Sequence, residues 1–463
     1  MTEQLKLKLN DSKATRWGAL VIVAFTMMAA YYVNDVVAPL KTMLETDLAW
    51  SSTDFGFFTG GYSFLNVFFL MLIWGGLILD RFGIRFTGKL ATILMVGGTA
   101  LEYYAMTGLA GADATLFGIN EIFGYKTGVF VAFAGYSIFG VGAEGAGITV
   151  FKNKAKWFKG KELATAMGVQ VALARIGSQA GYAVAIPLAR AFGISTPVLL
   201  GLVLLLGGMI AFFIFAVMDK KLDKQMEAAA IAAGTEDEEE KFSFKDVKNI
   251  LVNPGFWLIA LLCVLFYSCV FPFQKFASEL MIIKYGINEN VAGTFAGLPA
   301  LGALILTPVF GGFIDKRGKS ASIMLLGSAM LICVHFIYAI PDINYWLVAI
   351  VLMIILGIAF SLVPSAMWPA VAKIFPVSQL GTAYALIFFI QNIGLWGIPT
   401  LIGWVLDAYC ISGKKPDGTN MYDYTVPMCI FTGIACLSLI VALLLKKADK
   451  KYGYKLEEPN IQK

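Results

Sequence analysis

Twelve runs of apolar residues, each long enough for the ~20 residues a helix needs to cross a bilayer, constrain this chain more than any other feature. They fall near 17–40, 55–79, 87–109, 127–151, 162–190, 196–218, 255–275, 291–314, 320–340, 345–368, 379–406 and 424–446. Lipid offers no partner to an exposed backbone N–H or C=O, so such a chain must close its hydrogen bonds within helices or a sealed barrel. The two-residue alternation of barrel strands is missing. The expected fold is therefore an all-α membrane protein with twelve transmembrane helices. Composition agrees: 58% of residues are hydrophobic and 14% charged, against about 25% charged in soluble domains.

Residues 219–250, DKKLDKQMEAAAIAAGTEDEEEKFSFKDVKNI, interrupt the series. Their acidic block, Glu236–Glu240, is flanked by lysines, and the segment is too polar to span. It reads as a solvated linker with a surface helix at Gln225–Ala233. The chain then divides into an N-terminal six-helix half (1–218), the linker (219–250), a C-terminal six-helix half (251–446) and a tail (447–463). Lysine and arginine gather at the N-terminus, around Arg81 and Arg85, in Lys152–Lys161, in the linker, at Lys316–Lys319 and in the KKADKK run. The opposite loops are poorer in them, so both termini are expected in the cytoplasm.

The N-terminal stretch is polar and has no cleavable signal pattern. Lysines spread over short loops form no nucleic-acid footprint, so the expected surroundings are lipid and a small-molecule substrate, with no nucleic acid. The six cysteines have neither CxxC nor metal-ligand spacing. No cofactor or metal is expected. GxSxG, HExxH and Walker A patterns are absent, which argues against an enzyme. The short loops leave no sizeable soluble domain for an adaptor or receptor role.

Two charges stand inside apolar runs: Glu144, within VGAEGAG, and Arg175, within ALARIGS. Intramembrane charges are costly and mark substrate or ion paths. If the fourth and fifth spans form a hairpin turning near Lys156, Glu144 and Arg175 differ in depth by roughly 10 Å at ~1.5 Å per residue. That is too far for a tight salt bridge between straight helices. It suits the two ends of a short zwitterion, because two extended residues span ~7 Å. Arginine's planar fork fits a carboxylate, and an ionised glutamate fits an ammonium. The alternative is that the two charges pair with each other and only stabilise the bundle.

A repeat relates the halves. GLILDRFGIR at 76–85 returns as GGFIDKRGK at 311–319, and an offset of 235 residues places Asp80 on Asp315. The same offset sets Gly76 on Gly311, Arg81 on Lys316 and Gly83 on Gly318; Arg85 extends the first copy alone. Two parallel six-helix repeats imply a binding site near mid-membrane between them. The loops themselves, with glycines for close approach and an aspartate for a helix N-terminus or basic partner, are expected to gate one face.

These residues resemble the major facilitator superfamily, over all twelve spans. YSFLNV at 62–67, WFKGKEL at 157–163, ARIGS at 174–178, VFPF at 270–273, and WPAVAKIFP with QLGTAYALIFFIQNIGL running to Leu395 resemble its lysosomal dipeptide-uniporter branch, the relatives of major facilitator superfamily domain-containing protein one. The resemblance implies transport of dipeptides by alternating access. It also implies that Glu144 engages the peptide's amino end and Arg175 its carboxylate. The loop Gly111–Lys126 and the acidic linker depart from that branch. No acidic-dileucine sorting signal stands near the N-terminus, so the expected address is a bacterial cell (inner) membrane, with the lysosomal membrane as the alternative. The lysosomal relatives act with a glycosylated partner. The loops here indicate no docking surface for one, and a monomer is expected.

Further candidates for the cavity are Tyr62, Asn66, Trp368, Gln391 and Asn392, each equally able to glue helices together. Asp35 is placed at an outer gate or the interface, Glu102 at the interface, and His335 in packing. Pro272, Pro364 and Pro369 are expected to bend their helices. The competing functions are a proton-coupled peptide carrier and an organic-anion or drug carrier in which Arg175 alone selects.

Overall fold

The computed structural model describes residues 8–111, 114–158, 162–233 and 244–459. The acidic block Glu236–Glu240 lies outside them. Helix α1 (Lys13–Val36) begins at Ser12, whose side chain accepts from Thr15 N. A 3-10 turn, Ala38–Leu40, leads into α2 (Lys41–Leu48). Helix α3 (Ser52–Phe68) opens with a reciprocal capping box between Ser51 and Asp54. Helix α4 (Met71–Thr107) follows, bent at Gly83. A small hairpin, β1 (Glu121–Ile122) and β2 (Tyr125–Lys126), precedes α5 (Thr127–Phe158), α6 (Leu163–Phe192) and α7 (Thr196–Ala233).

The second half runs α8 (Phe244–Val252), α9 (Pro254–Tyr285), α10 (Glu289–Ala296), α11 (Leu298–Arg317), α12 (Ser320–Ala339), α13 (Trp346–Ile374) and α14 (Val377–Tyr409). A second hairpin, β3 (Ile411–Lys414) with β4 (Asn420–Tyr422), precedes α15 (Thr425–Tyr452).

These helices make the twelve expected passes in two six-helix halves. Among the described residues, nine helical stretches are long and apolar enough to span, and a tenth if the bent pair Ser52–Phe68 and Met71–Leu79 counts as one. The other two passes are the later part of α4 and α6. Polar side chains dilute them: Lys89 and Glu102 in one, Gln170, Arg175 and Gln179 in the other.

Three features differ from the sequence expectation. The second pass is broken, with a 59° bend between its pieces and Leu70 in a left-handed conformation. The eighth pass is split at Gly297 into α10 and α11. Helix α7 does not stop at the membrane edge but continues to Ala233. The reason for the last is local: KKLDKQMEAAAIAA is built of strong helix formers with no glycine or proline.

Small residues set the spacing of the N-terminal half. A side chain on Gly98 or Gly135 would meet the facing backbone between α4 and α5. Gly140 of α5 lies against the Tyr62 carbonyl of α3, and Gly177 of α6 against the Met28 carbonyl of α1. Close backbone approach through small residues is how membrane helices associate without a hydrophobic drive between them.

Candidate functional site

The close approach at Gly140 places α3 beside the next turn of α5, where Glu144 stands. The Tyr62 hydroxyl donates to Glu144 Oε1 at 3.0 Å. Glu144 keeps a small exposed fraction although helices surround it. On α6, the contact at Gly177 holds Arg175 beside α1. Its guanidinium carbon lies 5.6 Å from the Tyr31 ring centre and 4.8 Å from that of Phe360 on α13. Tyr31 is within electrostatic reach of both Arg175 and Glu144. Among the described residues, neither charge forms a salt bridge with the other or with a third group. A crevice of about 250 Å³ between α6 and α11 opens onto Arg175, lined otherwise by Gln179 and apolar side chains.

The C-terminal half faces this pair with rings. Trp368 donates through Nε1 to the Tyr267 hydroxyl at 3.2 Å and stacks on Phe388 at 4.8 Å. The Tyr384 hydroxyl donates to the Trp368 carbonyl at 2.9 Å. Tyr267 and Phe271 are parallel at 5.4 Å, and both meet Phe360 edge-on. Tyr267 is also within electrostatic reach of Arg175, which links Trp368 to the charges through one intervening ring.

Of the other candidates, three are buried. Asn66 is 1% exposed, and neither end of its amide has a hydrogen-bond partner among the described residues. Gln391 accepts from the Cys263 thiol at 3.4 Å, joining α14 to α9. Asn392 donates to the Phe388 carbonyl of its own helix at 2.9 Å. His335 is fully buried, 3.0 Å from the Cys269 carbonyl and flanked by Phe273 and Phe431. It is the packed residue expected.

Charges missed or misplaced by sequence reasoning seal the face opposite the termini. Lys41 is 1% exposed and binds Glu45 and Glu279, each at 2.5 Å. Lys415, from the β3–β4 turn, lies 3.6 Å from both acids, and Tyr424 donates to Glu279. Thr53 N donates to Asp407 at 2.6 Å, and Arg190 pairs with Glu289 and Asn290. One layer deeper, Lys275 of α9 binds the Asn34 carbonyl at 2.6 Å and Asp35 at 3.4 Å, while Ser178 donates to Asp35. Asp35 therefore belongs to the seal between halves. Glu102 is corrected: it is not interfacial but 0% exposed, packed where α4 meets α5, with no hydrogen-bond partner on either oxygen among the described residues. Lys41, Lys275 and Glu279 lie beyond or at the ends of the apolar runs, so hydropathy alone reads them as edge charges.

On the face carrying the termini, the two motif copies are braced differently. Arg85 binds Asp223 at 2.7 Å and lies 3.9 Å from Asp219, both on the extension of α7; Lys156 pairs with both acids, and Trp157 donates to Asp219. Arg81 is exposed and close to the Phe82 ring. The Asp80 side chain lies outside the described residues. Gly83, at φ 76° and ψ 176°, makes the bend, in a region open only to glycine. Gly76 and Gly311 have open space around them.

Gly318, at φ 70°, turns α11 into α12, and a side chain there would meet the backbone of Glu457 and Glu458. The tail docks on that turn. Lys319 N and Ser320 N donate to Glu457 and Leu456 carbonyls, Ser322 binds the Glu457 carboxylate through N and Oγ at 2.8 Å, and Leu456 is fully buried. Asp315 lies near enough to Lys373 to act on it electrostatically, and Lys316 is exposed.

A helical bundle of two six-helix halves that holds opposite charges on neighbouring spans has the build of a membrane transporter. The chain belongs to the Major Facilitator Superfamily, whose family model matches residues 20–399 and 284–458. It is a membrane transporter of that superfamily. A human protein named lysosomal dipeptide transporter MFSD1 is 29% identical over 454 residues, covering 95% of this chain and 88% of that one. The crystal structure of a point mutant of nucleoside transporter NupG aligns with TM-score 0.68 at 12% identity, covering 92% of this chain and 98% of that one. A bacterial homolog of the human lysosomal transporter Spinster, in an inward-facing and unoccupied conformation, aligns with TM-score 0.60 at 16% identity, covering 98% and 99%. The structural likenesses bear on fold alone.

Proposed function

We propose that this transporter carries short peptides, dipeptides first among them, as a uniporter working by alternating access. The observation that carries the reading is the state of the two charges. Glu144 and Arg175 belong to one half, are only partly buried and are salt-bridged to nothing among the described residues, and Tyr31, 5.6 Å from the guanidinium, is within electrostatic reach of both. A zwitterion whose ends stand ~7 Å apart satisfies an acid and a base held this way, while its side chains meet the rings around Trp368. A dipeptide zwitterion is neutral overall, so binding it leaves the charge of the site unchanged and requires no accompanying ion. The name of the 29%-identical human relative points the same way.

In this reading Glu144 holds the ammonium, Arg175 holds the carboxylate, and Tyr62 orients Glu144. Residues 1–218 and 251–446 are the rocking units. Gly76, Asp80, Arg81, Gly83, Arg85, Gly311, Asp315, Lys316 and Gly318 form the loops that hinge or brace their inner ends. Both termini face the cytoplasm, the protein acts as a monomer without an accessory subunit, and it resides in a bacterial inner membrane. The test is uptake of labelled di-alanine into proteoliposomes with and without an imposed pH gradient. Uptake should run downhill to equal concentrations, unaltered by the gradient. Concentrative uptake that needs the gradient would overturn uniport. Entry of organic anions but not di-alanine would overturn the peptide assignment.

A further inference from the structure

Arg175 meets a ring of the opposite half. Phe360 is 2% exposed. Tyr267 and Phe271 pack edge-on against it, at 6.3 and 5.3 Å between ring centres, so its plane is fixed by its own half. The guanidinium lies 4.8 Å from its centre. A guanidinium has two distinct binding surfaces. Its flat face takes an aromatic ring, and its edge donates parallel hydrogen bonds to a carboxylate. Occupying the face does not use up the edge. A long arginine side chain otherwise loses rotamer freedom when it binds. A ring that holds the plane beforehand removes part of that cost.

We infer that Phe360 is a positioning residue for Arg175 and sets the preference of the site for a free C-terminal carboxylate. The inference rests on the peptide-carrier reading above and adds to it the residue that orients the carboxylate fork. It also ties recognition to conformation. Tyr31, the other ring near the guanidinium, belongs to the same half as Arg175, whereas Phe360 belongs to the C-terminal half, so the nearer of the two rings is present only while that half stands against α6. When the halves rock apart at this depth, Arg175 keeps Tyr31 but loses Phe360, and its hold on the carboxylate weakens.

The experiment compares binding of di-alanine and its C-terminal amide to the full chain in detergent, by thermal shift and calorimetry, in wild type, Phe360→Leu, Phe360→Tyr and Phe360→Trp. Wild type should favour the free acid. In Phe360→Leu the acid-to-amide preference should fall about three- to tenfold, the range a single cation–π contact supports, with amide binding within twofold of wild type. Tyrosine and tryptophan at this position should restore the preference. A merely structural role would weaken acid and amide together, and that result overturns the inference. An unchanged preference in Phe360→Leu overturns it as well, while leaving the carrier reading intact. If wild type binds neither compound, both the inference and the carrier reading fail.

Discussion

The two halves bring different chemistry to their contact at Arg175. The N-terminal half contributes Glu144 and Arg175, held by close helix contacts at Gly140 and Gly177. The C-terminal half contributes Tyr267, Phe271, Phe360 and Trp368, braced ring against ring. Charges select the ends of a cargo by electrostatics and geometry. Rings offer area without demanding a particular partner. The split suggests a carrier strict about termini and tolerant of side chains. The inner loops differ in the same manner. The first copy is braced by ion pairs from the extension of the sixth-pass helix, through Arg85, Asp219 and Asp223. The second is braced by backbone, as the tail threads over Gly318.

Exchanging the glycines of the two loops breaks this comparison most sharply. Gly83→Ala and Gly318→Ala each force a side chain into a backbone conformation costing on the order of 1–3 kcal/mol. Only Gly318→Ala also displaces a docked segment, giving up the burial of Leu456, a further ~1.5–3 kcal/mol. Thermal unfolding should therefore fall further for Gly318→Ala, and limited proteolysis should release its tail. Equal losses in the two variants would contradict the account of the second loop. A smaller effect belongs to the ring wall. Trp368→Ala should weaken dipeptide binding by about 1–2 kcal/mol, roughly the worth of an aromatic contact, and nearly equally for di-alanine and for its two end-blocked derivatives. A loss confined to one blocked form would show that Trp368 reads a terminus.

Much of this arrangement was legible in the residues alone. Apolar length marked the twelve passes, the loop repeat marked the two halves, and charge inside apolar runs marked Glu144 and Arg175. The rest depends on contacts that sequence order hides. The break after Phe68 has no glycine or proline near it. Phe360 is one apolar residue among many in α13, and only the crossing of α6 makes it a platform. Ser322 and Glu457 lie far apart in the chain, so the docked tail has no local signature. Lys41 and Glu279 look like edge charges until the halves close and bury them together. Glu102 misled because a carboxylate near the end of a span usually meets water, whereas α5 packs over this one.

The most direct measurement of the central claim crosses the two ends of the ligand with the two charges. Binding of di-alanine, N-acetyl-di-alanine and di-alanine amide would be measured on wild type, Glu144→Gln and Arg175→Ala, with folding checked by size exclusion. The account predicts that blocking the amino end and removing Glu144 cost the same binding energy and do not add, and likewise for the carboxylate and Arg175. Each matched pair should couple by about 1.5–3 kcal/mol, the worth of a hydrogen bond to a charged group. Additive losses in both matched pairs would mean that the charges do not grip the two ends of the cargo.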